Sequence, residues 1–301
     1  MSWQNFALSM LLKYRMKPMS KGGLDVRKVR EAAGKPLVKA KVPPGCKIRV
    51  TSEKPLYGEW IERETRYDPK TARTILYLHG GGYFFCSPET HRPITLGLAA
   101  GADAHVFVPD YRLAPEHPFP AAIEDSVAAY RRLIADGTPA QRIVIAGDSA
   151  GGGLTLATML TLRDAGDPLP AAAVLFSPWT DLAATGDSIV RNSRSDVMFH
   201  GDGIAKGARY YLGNTDAKHP LASPHYADLK GLPPLFIQAS DTEVLLDDST
   251  RLAEKAAKAG VSVTFKMWPR LPHVWQIFTP FLPEGRAALA EASAFVKRVV
   301  P

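Results

Sequence analysis

From about residue 74 onward, short runs of β-branched and other apolar residues alternate with stretches of helical character. No other property of the chain restricts its fold so strongly. Residues 74–78, 105–109, 142–146, 172–176, 235–239 and 262–267 read as strands. Several are nearly continuous in apolar residues, as parallel strands covered on both faces are. Residues 120–135, 150–164, 247–259 and 284–299 read as helices, with Gly260 a C-cap for the third. The alternation predicts an α/β fold with a mostly parallel central sheet flanked by helices. Residues 47–51 and 59–62 add an antiparallel edge. A chain of 301 residues, 46% hydrophobic and 22% charged, can bury one large core of this kind.

Two regions interrupt the alternation: residues 1–40 and roughly 183–220. A long insertion after a strand crosses the sheet's C-terminal edge, where ligands bind in open α/β sheets. The two regions are therefore expected to meet as the two parts of a cap over a catalytic domain spanning 41–301. In the first, Trp3, Phe6, Ala7, Met10, Leu11 and Tyr14 fall on one stripe of a helix. The stripe is expected to pack on the protein itself; a membrane-surface role is the sharper alternative. No apolar run approaches the length of a membrane span, so no stable insertion is expected.

The net charge of +7 arises from scattered Lys and Arg, which argues against a nucleic-acid partner. Cys46 and Cys86 form neither a disulfide framework nor a metal-site spacing. With no signal-peptide pattern at the start of the sequence, a cytoplasmic setting is expected.

The strand at 142–146 runs into Gly147-Asp148-Ser149-Ala150-Gly151 and then a helix. A G-x-S-x-G turn between strand and helix holds a serine hydroxyl above the sheet, and its glycines fit where side chains would not. After the strand at 74–78 comes His79-Gly80-Gly81-Gly82-Tyr83. Three successive glycines are costly in backbone entropy, which argues for a role beyond packing. Their N–H groups can turn towards a reacting carbonyl and, with that of Ala150, hold an oxyanion. His79 is expected to orient this loop by hydrogen bonding.

Of the eight histidines, His273 follows the last strand and precedes the last helix, where this fold delivers a general base. His91, His105, His117, His200, His219 and His225 lie in motif-free contexts and read as structural. The acid that orients the base must stand in the loop after residue 239, which holds Asp241, Glu243, Asp247 and Asp248. Asp247 and Asp248 are expected to open the next helix, where carboxylates favour the dipole and the cap. Asp241 and Glu243 remain. Tyr83, Phe84, Phe85, Trp179, Met198 and Phe199 are candidate pocket walls. The stretch from Tyr111 to Glu116 reads as scaffold.

Together with residues 110–120 (Asp110-Tyr-Arg-Leu-Ala-Pro-Glu-His-Pro-Phe-Pro120), Ser177-Pro-Trp179 and Leu271-Pro-His273, these motifs resemble the bacterial hormone-sensitive-lipase-like (family IV) esterases of the α/β-hydrolase fold. The resemblance covers about residues 40–300. It implies oxyanion donors at Gly81, Gly82 and Ala150, and a cap built from the two interrupting regions. The family's acid stands in Asp-Pro-Leu; here that register falls on Glu243-Val244-Leu245, which favours Glu243 and keeps Asp241 as the alternative. It further implies short-to-medium-chain carboxylic esters as substrates, hydrolysed through an acyl-enzyme on Ser149 with no metal or organic cofactor. The run Glu243 to Asp248 is similar to that of esterases and of a monoterpene lactone hydrolase, so a lactone is the second substrate class. A non-catalytic receptor on the same fold is a remoter alternative, and whether two copies pair as a homodimer is left open.

Overall fold

The computed structural model describes residues 2–21, 25–36, 39–53, 57–64 and 68–301. Eight strands among them form one sheet: β1 (Cys46–Thr51), β2 (Gly58–Arg63), β3 (Arg73–Leu78), β4 (Ala104–Pro109), β5 (Ile143–Asp148), β6 (Ala172–Phe176), β7 (Leu235–Ser240) and β8 (Val263–Trp268). Their order is β1-β2-β4-β3-β5-β6-β7-β8. β1 and β2 pair antiparallel with each other, and β2 pairs antiparallel with β4. All remaining pairings are parallel. β3 to β7 are almost wholly buried, which is why they read as continuous apolar runs and not as alternations.

The helices are α1 (Trp3–Arg15), α2 (Val26–Ala33), α3 (Arg92–Ala102), α4 (Ala121–Ala135), α5 (Ala150–Asp164), α6 (Ser188–Arg191), α7 (Gly201–Leu212), α8 (Leu246–Lys258) and α9 (Pro283–Val299). One apolar layer lies between the sheet and α4, α5 and α8, and a second between the sheet and α3 and α9. Sequence periodicity does not reveal α3. It is buried on most sides and contains Gly97 and Gly101, so no amphipathic stripe marks it.

The helix predicted at the N-terminus forms as α1, but it packs through the face opposite the predicted stripe. Asn5, Leu8 and Leu12 are buried, the leucines against Met198, Leu271, Trp275, Phe278 and Leu282. Trp3, Phe6, Met10, Leu11 and Tyr14 are exposed instead. Asn5 decides the orientation: its amide donates to the Arg270 carbonyl at 2.9 Å, and a buried amide needs such a partner. At 100° per residue the two sets lie on opposite sides of the helix.

Candidate active site

Ser149 stands between β5 and α5 with φ 50° and ψ −121°, a backbone conformation in which side chains are rarely found. The turn survives because its neighbours over-determine it. Ser149 N–H donates to the Phe176 carbonyl at 2.9 Å, and the Ser149 carbonyl accepts from Trp179 N–H at 2.8 Å. The flanking glycines are steric necessities. A Cβ at Gly147 would stand 2.3 Å from the Gly151 carbonyl oxygen, and one at Gly151 would stand 2.0 Å from that of Leu78.

The glycine loop that follows β3 packs directly over this turn. Asp148 is buried and accepts from the Tyr77 hydroxyl at 2.7 Å, Gly80 N–H at 3.0 Å and the His91 ring at 3.2 Å. Burial alone would raise its pKa. The His91 imidazole and the hydrogen bonds from His91 and Tyr77 outweigh that and hold it below the usual carboxylate range. His79 stacks on Tyr111 at 4.3 Å and has its Nδ1 2.8 Å from the Gly80 carbonyl oxygen. Burial, helped by the nearby His91, lowers the His79 pKa to about 3, so the ring is neutral. The Tyr111 hydroxyl donates to the His79 carbonyl at 2.7 Å, the bracing contact expected of the 111–116 stretch.

Gly80 N–H is thus committed to Asp148. The N–H groups of Gly81, Gly82 and Ala150 have no acceptor among the described residues. Those of Gly81 and Gly82 belong to left-handed backbone, with φ 111° and 60°.

On the opposite side of the cavity, Glu243 and His273 meet. His273 Nδ1 lies 2.6 Å from Glu243 Oε2. The other carboxylate oxygen, Oε1, accepts from Ser240 N–H at 2.7 Å and the Ser177 hydroxyl at 3.1 Å. Both side chains are buried. Burial would lower the pKa of His273, but the Glu243 hydrogen bond and charge prevail and raise it. With Nδ1–H donated to the Glu243 carboxyl, Nε2 is the free lone pair. It is buried and carries no hydrogen bond, so it makes no direct bond to Ser149 here. Ser149 and His273 line the same cavity, and such bonds commonly close only when substrate is bound.

The other carboxylates near this edge face elsewhere. Asp241 accepts from Arg270 N–H at 2.6 Å. Asp247 and Asp248 do stand in the first turn of α8 as expected, but neither caps it. Asp247 accepts from Ser188 N–H at 2.8 Å and the Arg191 guanidinium; Asp248 accepts from Thr180 and Asp181 N–H at 2.7 and 2.8 Å. Their carboxyl oxygens therefore hold the long β6–β7 connection.

Two supporting residues escaped the sequence reading. His91 reads as motif-free, yet it grips Asp148 and lines the cavity. Asp196 is buried in the β6–β7 connection, where it accepts from Val244, Met198 and Phe199 N–H at 2.9, 2.7 and 2.9 Å. It joins the insertion to the Glu243 loop. Neither carries a local signal, since each partner is remote in sequence.

The cavity measures ≈ 210 Å³ and its walls are largely apolar. Phe84, Phe85, Trp179, Met198 and Phe199 line it, as candidate walls should. Tyr83 does not; it stacks on Tyr211 at 3.7 Å within the core.

Sheet order, serine elbow and glycine loop together define an α/β-hydrolase. The family model described as alpha/beta hydrolase fold matches residues 75–277. An acetyl-hydrolase of Streptomyces hygroscopicus is 48% identical over 256 residues, 85% of this chain and 83% of that protein. An esterase of Acinetobacter venetianus is 35% identical over 253 residues, 84% and 82% of the two chains. Among solved structures, the esterase EstE5 soaked with p-nitrophenyl butyrate superposes with a TM-score of 0.92 at 40% identity, covering 100% of this chain and 99% of its own. An esterase of the bacterial hormone-sensitive lipase family gives 0.93 at 39% identity, with the same coverage. The chain belongs to the bacterial hormone-sensitive-lipase family of α/β-hydrolases and is a carboxylic ester hydrolase.

Proposed function

We propose that the enzyme cleaves short-to-medium-chain carboxylic esters through an acyl-enzyme on Ser149, with His273 as general base and Glu243 as the acid that orients it. The observation that carries this reading is the 2.6 Å contact of Glu243 with His273 Nδ1, which directs the free Nε2 lone pair to other chemistry beside the serine elbow.

In the first half-reaction His273 Nε2 takes the Ser149 proton as Oγ attacks the ester carbonyl. The N–H groups of Gly81, Gly82 and Ala150 stabilise the tetrahedral oxyanion. Its collapse breaks the bond to the alkoxy oxygen, which leaves as the alcohol with the proton from His273. Water then attacks the acyl-enzyme with the same base, releasing the carboxylic acid and restoring the serine.

Residues 1–40 and 183–220 act as the two parts of a cap that sets acyl-chain preference. Four hydrogen bonds support their joint action. The Lys17 ammonium donates to the Ser193, Arg194 and Asp196 carbonyls, and the Ser20 hydroxyl accepts from His200 N–H at 2.8 Å. Both regions supply cavity walls, Met16 and Met19 from one and Met198, Phe199 and Ile204 from the other.

A cavity of ≈ 210 Å³ lies below the roughly 300–1,000 Å³ of sites for drug-sized ligands. The acetyl-hydrolase name of one relative and the butyrate ester soaked into another point the same way. A panel of p-nitrophenyl esters of increasing acyl length, run beside monocyclic lactones, tests the assignment. The expected result is highest kcat/KM on acetyl to hexanoyl esters; a preference for lactones over every open-chain ester would overturn it.

A further inference from the structure

We propose that the outward face of α1 docks this protein on an anionic lipid–water interface. That face consists of Trp3, Phe6, Ala7, Met10, Leu11 and Tyr14, with Trp3 70% exposed, Phe6 59%, Leu11 56% and Tyr14 69%. Trp3 meets the half-exposed Phe281 edge-on at 5.9 Å, which extends the patch beyond the helix. Scattered exposed apolar side chains are ordinary on a soluble protein, but a contiguous stripe of this kind marks an interaction surface. No described segment of the chain covers it.

Charge selects the partner. Residues 1–41 carry ten Lys or Arg and only two carboxylates, whereas residues 42–301 carry 27 and 28. The whole cationic excess of the protein is therefore concentrated in the segment that bears the stripe. Lys13, Arg15, Lys21, Arg27, Lys28, Lys35, Lys39 and Lys41 are all exposed. None has an ion-pair partner among the described residues. Aromatic and aliphatic side chains on a helix rimmed by cations are what a helix lying in an anionic headgroup layer presents, Trp and Tyr being suited to its depth. A second copy of the chain would bring a second cationic rim against the first, which disfavours self-association through this face.

Docking here also has a consequence for substrate. Met19 and Lys35, both exposed, line the cavity, so the cationic segment that carries the stripe also borders the site. Esters held at the interface would then lie close to that segment. This last step rests on the proposed esterase site; docking itself does not. No described helix is long and apolar enough to cross a membrane, and peripheral binding does not need one.

The test is co-sedimentation of the full-length protein with vesicles of phosphatidylcholine alone or mixed with phosphatidylglycerol. It compares the parent with the combined variant Trp3→Ser, Phe6→Ser, Leu11→Ser, all on the exposed face and none lining the cavity. The parent should bind the mixed vesicles and release as salt is raised. The variant should lose on the order of ten-fold or more in partitioning, with Tm unchanged. Equal binding of parent and variant, or no binding of the parent to anionic vesicles, overturns the proposal. A change of oligomeric state in the variant, seen by light scattering without any vesicle binding by the parent, assigns the face to a second copy and likewise overturns it.

Discussion

Glu243 Oε2 stands 2.6 Å from His273 Nδ1, while Asp241, two residues earlier, gives its carboxylate to the backbone N–H of Arg270. Glu243→Gln should therefore lower kcat by about 10²–10⁴-fold, because the amide no longer holds the imidazolium that forms during attack. Asp241→Asn should stay within a few-fold of the parent. Steady-state kinetics on p-nitrophenyl butyrate distinguish the two; a larger loss for the Asp241 variant would transfer the role.

On the proposed mechanism the same pair sets the acid limb of the pH profile. His273 must be neutral to accept a proton, and Glu243 raises its pKa against the opposing effect of burial. The limb of kcat/KM should accordingly lie above the ordinary histidine value of about 6.5. In Glu243→Gln the largest raising influence is gone, while burial remains against the weaker effects of Asp196 and Asp148, so the limb should move down. A limb that stays in place would show that another group governs it.

Ser149→Ala should abolish turnover by about 10⁴-fold or more while the protein remains folded. Intact-mass spectrometry after treatment with an aryl phosphonate should show one adduct on the parent and none on the variant. An adduct on the variant would place the nucleophile elsewhere.

Lys17 fills all three of its ammonium donors with carbonyls of residues 193, 194 and 196. Lys17→Met leaves those carbonyls without partners and loosens the N-terminal segment from the insertion. KM for the longer acyl esters should rise several-fold, with kcat on the acetyl ester nearly constant. Unchanged KM across the panel would argue against the two segments acting as one cap.

Asp248 is a buried carboxyl whose pKa is raised to about 7, mainly by burial and further by Asp181. A group raised on folding contributes stability below its unfolded pKa of about 4, and loses it as pH climbs through the folded value. Asp248→Asn removes that titration and keeps an oxygen for the N–H groups of Thr180 and Asp181. Relative to the parent, the variant should gain stability between about pH 4 and pH 7, by up to about 1.4 kcal/mol per pH unit, read as a Tm difference that widens across that window. Parallel Tm curves would refute the assignment.

Much of the catalytic edge is legible in one dimension because tight turns demand particular residue types at adjacent positions. The elbow around Ser149 excludes any Cβ at Gly147 and Gly151, and the loop from Gly80 to Gly82 adopts left-handed backbone at its second and third glycines. Such constraints lie within a few residues and leave a pattern. Continuous apolar strands announce a doubly covered sheet for the same local reason, and each of the six parallel strands predicted falls within two residues of its observed bounds. Where several carboxylates crowd one loop, residue type no longer discriminates. Asp241 and Glu243 remained open on local grounds, and only a family resemblance favoured Glu243.

The rest required contacts between distant segments. α1 offers two apolar faces; which one is buried depends on Asn5 finding the Arg270 carbonyl 265 residues away, and that contact has no periodicity to read. His91 and Asp196 take their roles from Asp148 and Val244, partners equally out of reach of a local pattern. Steric demands of a single turn are written where the turn is, whereas packing and buried hydrogen bonds pair residues that the chain brings together only when it closes on itself.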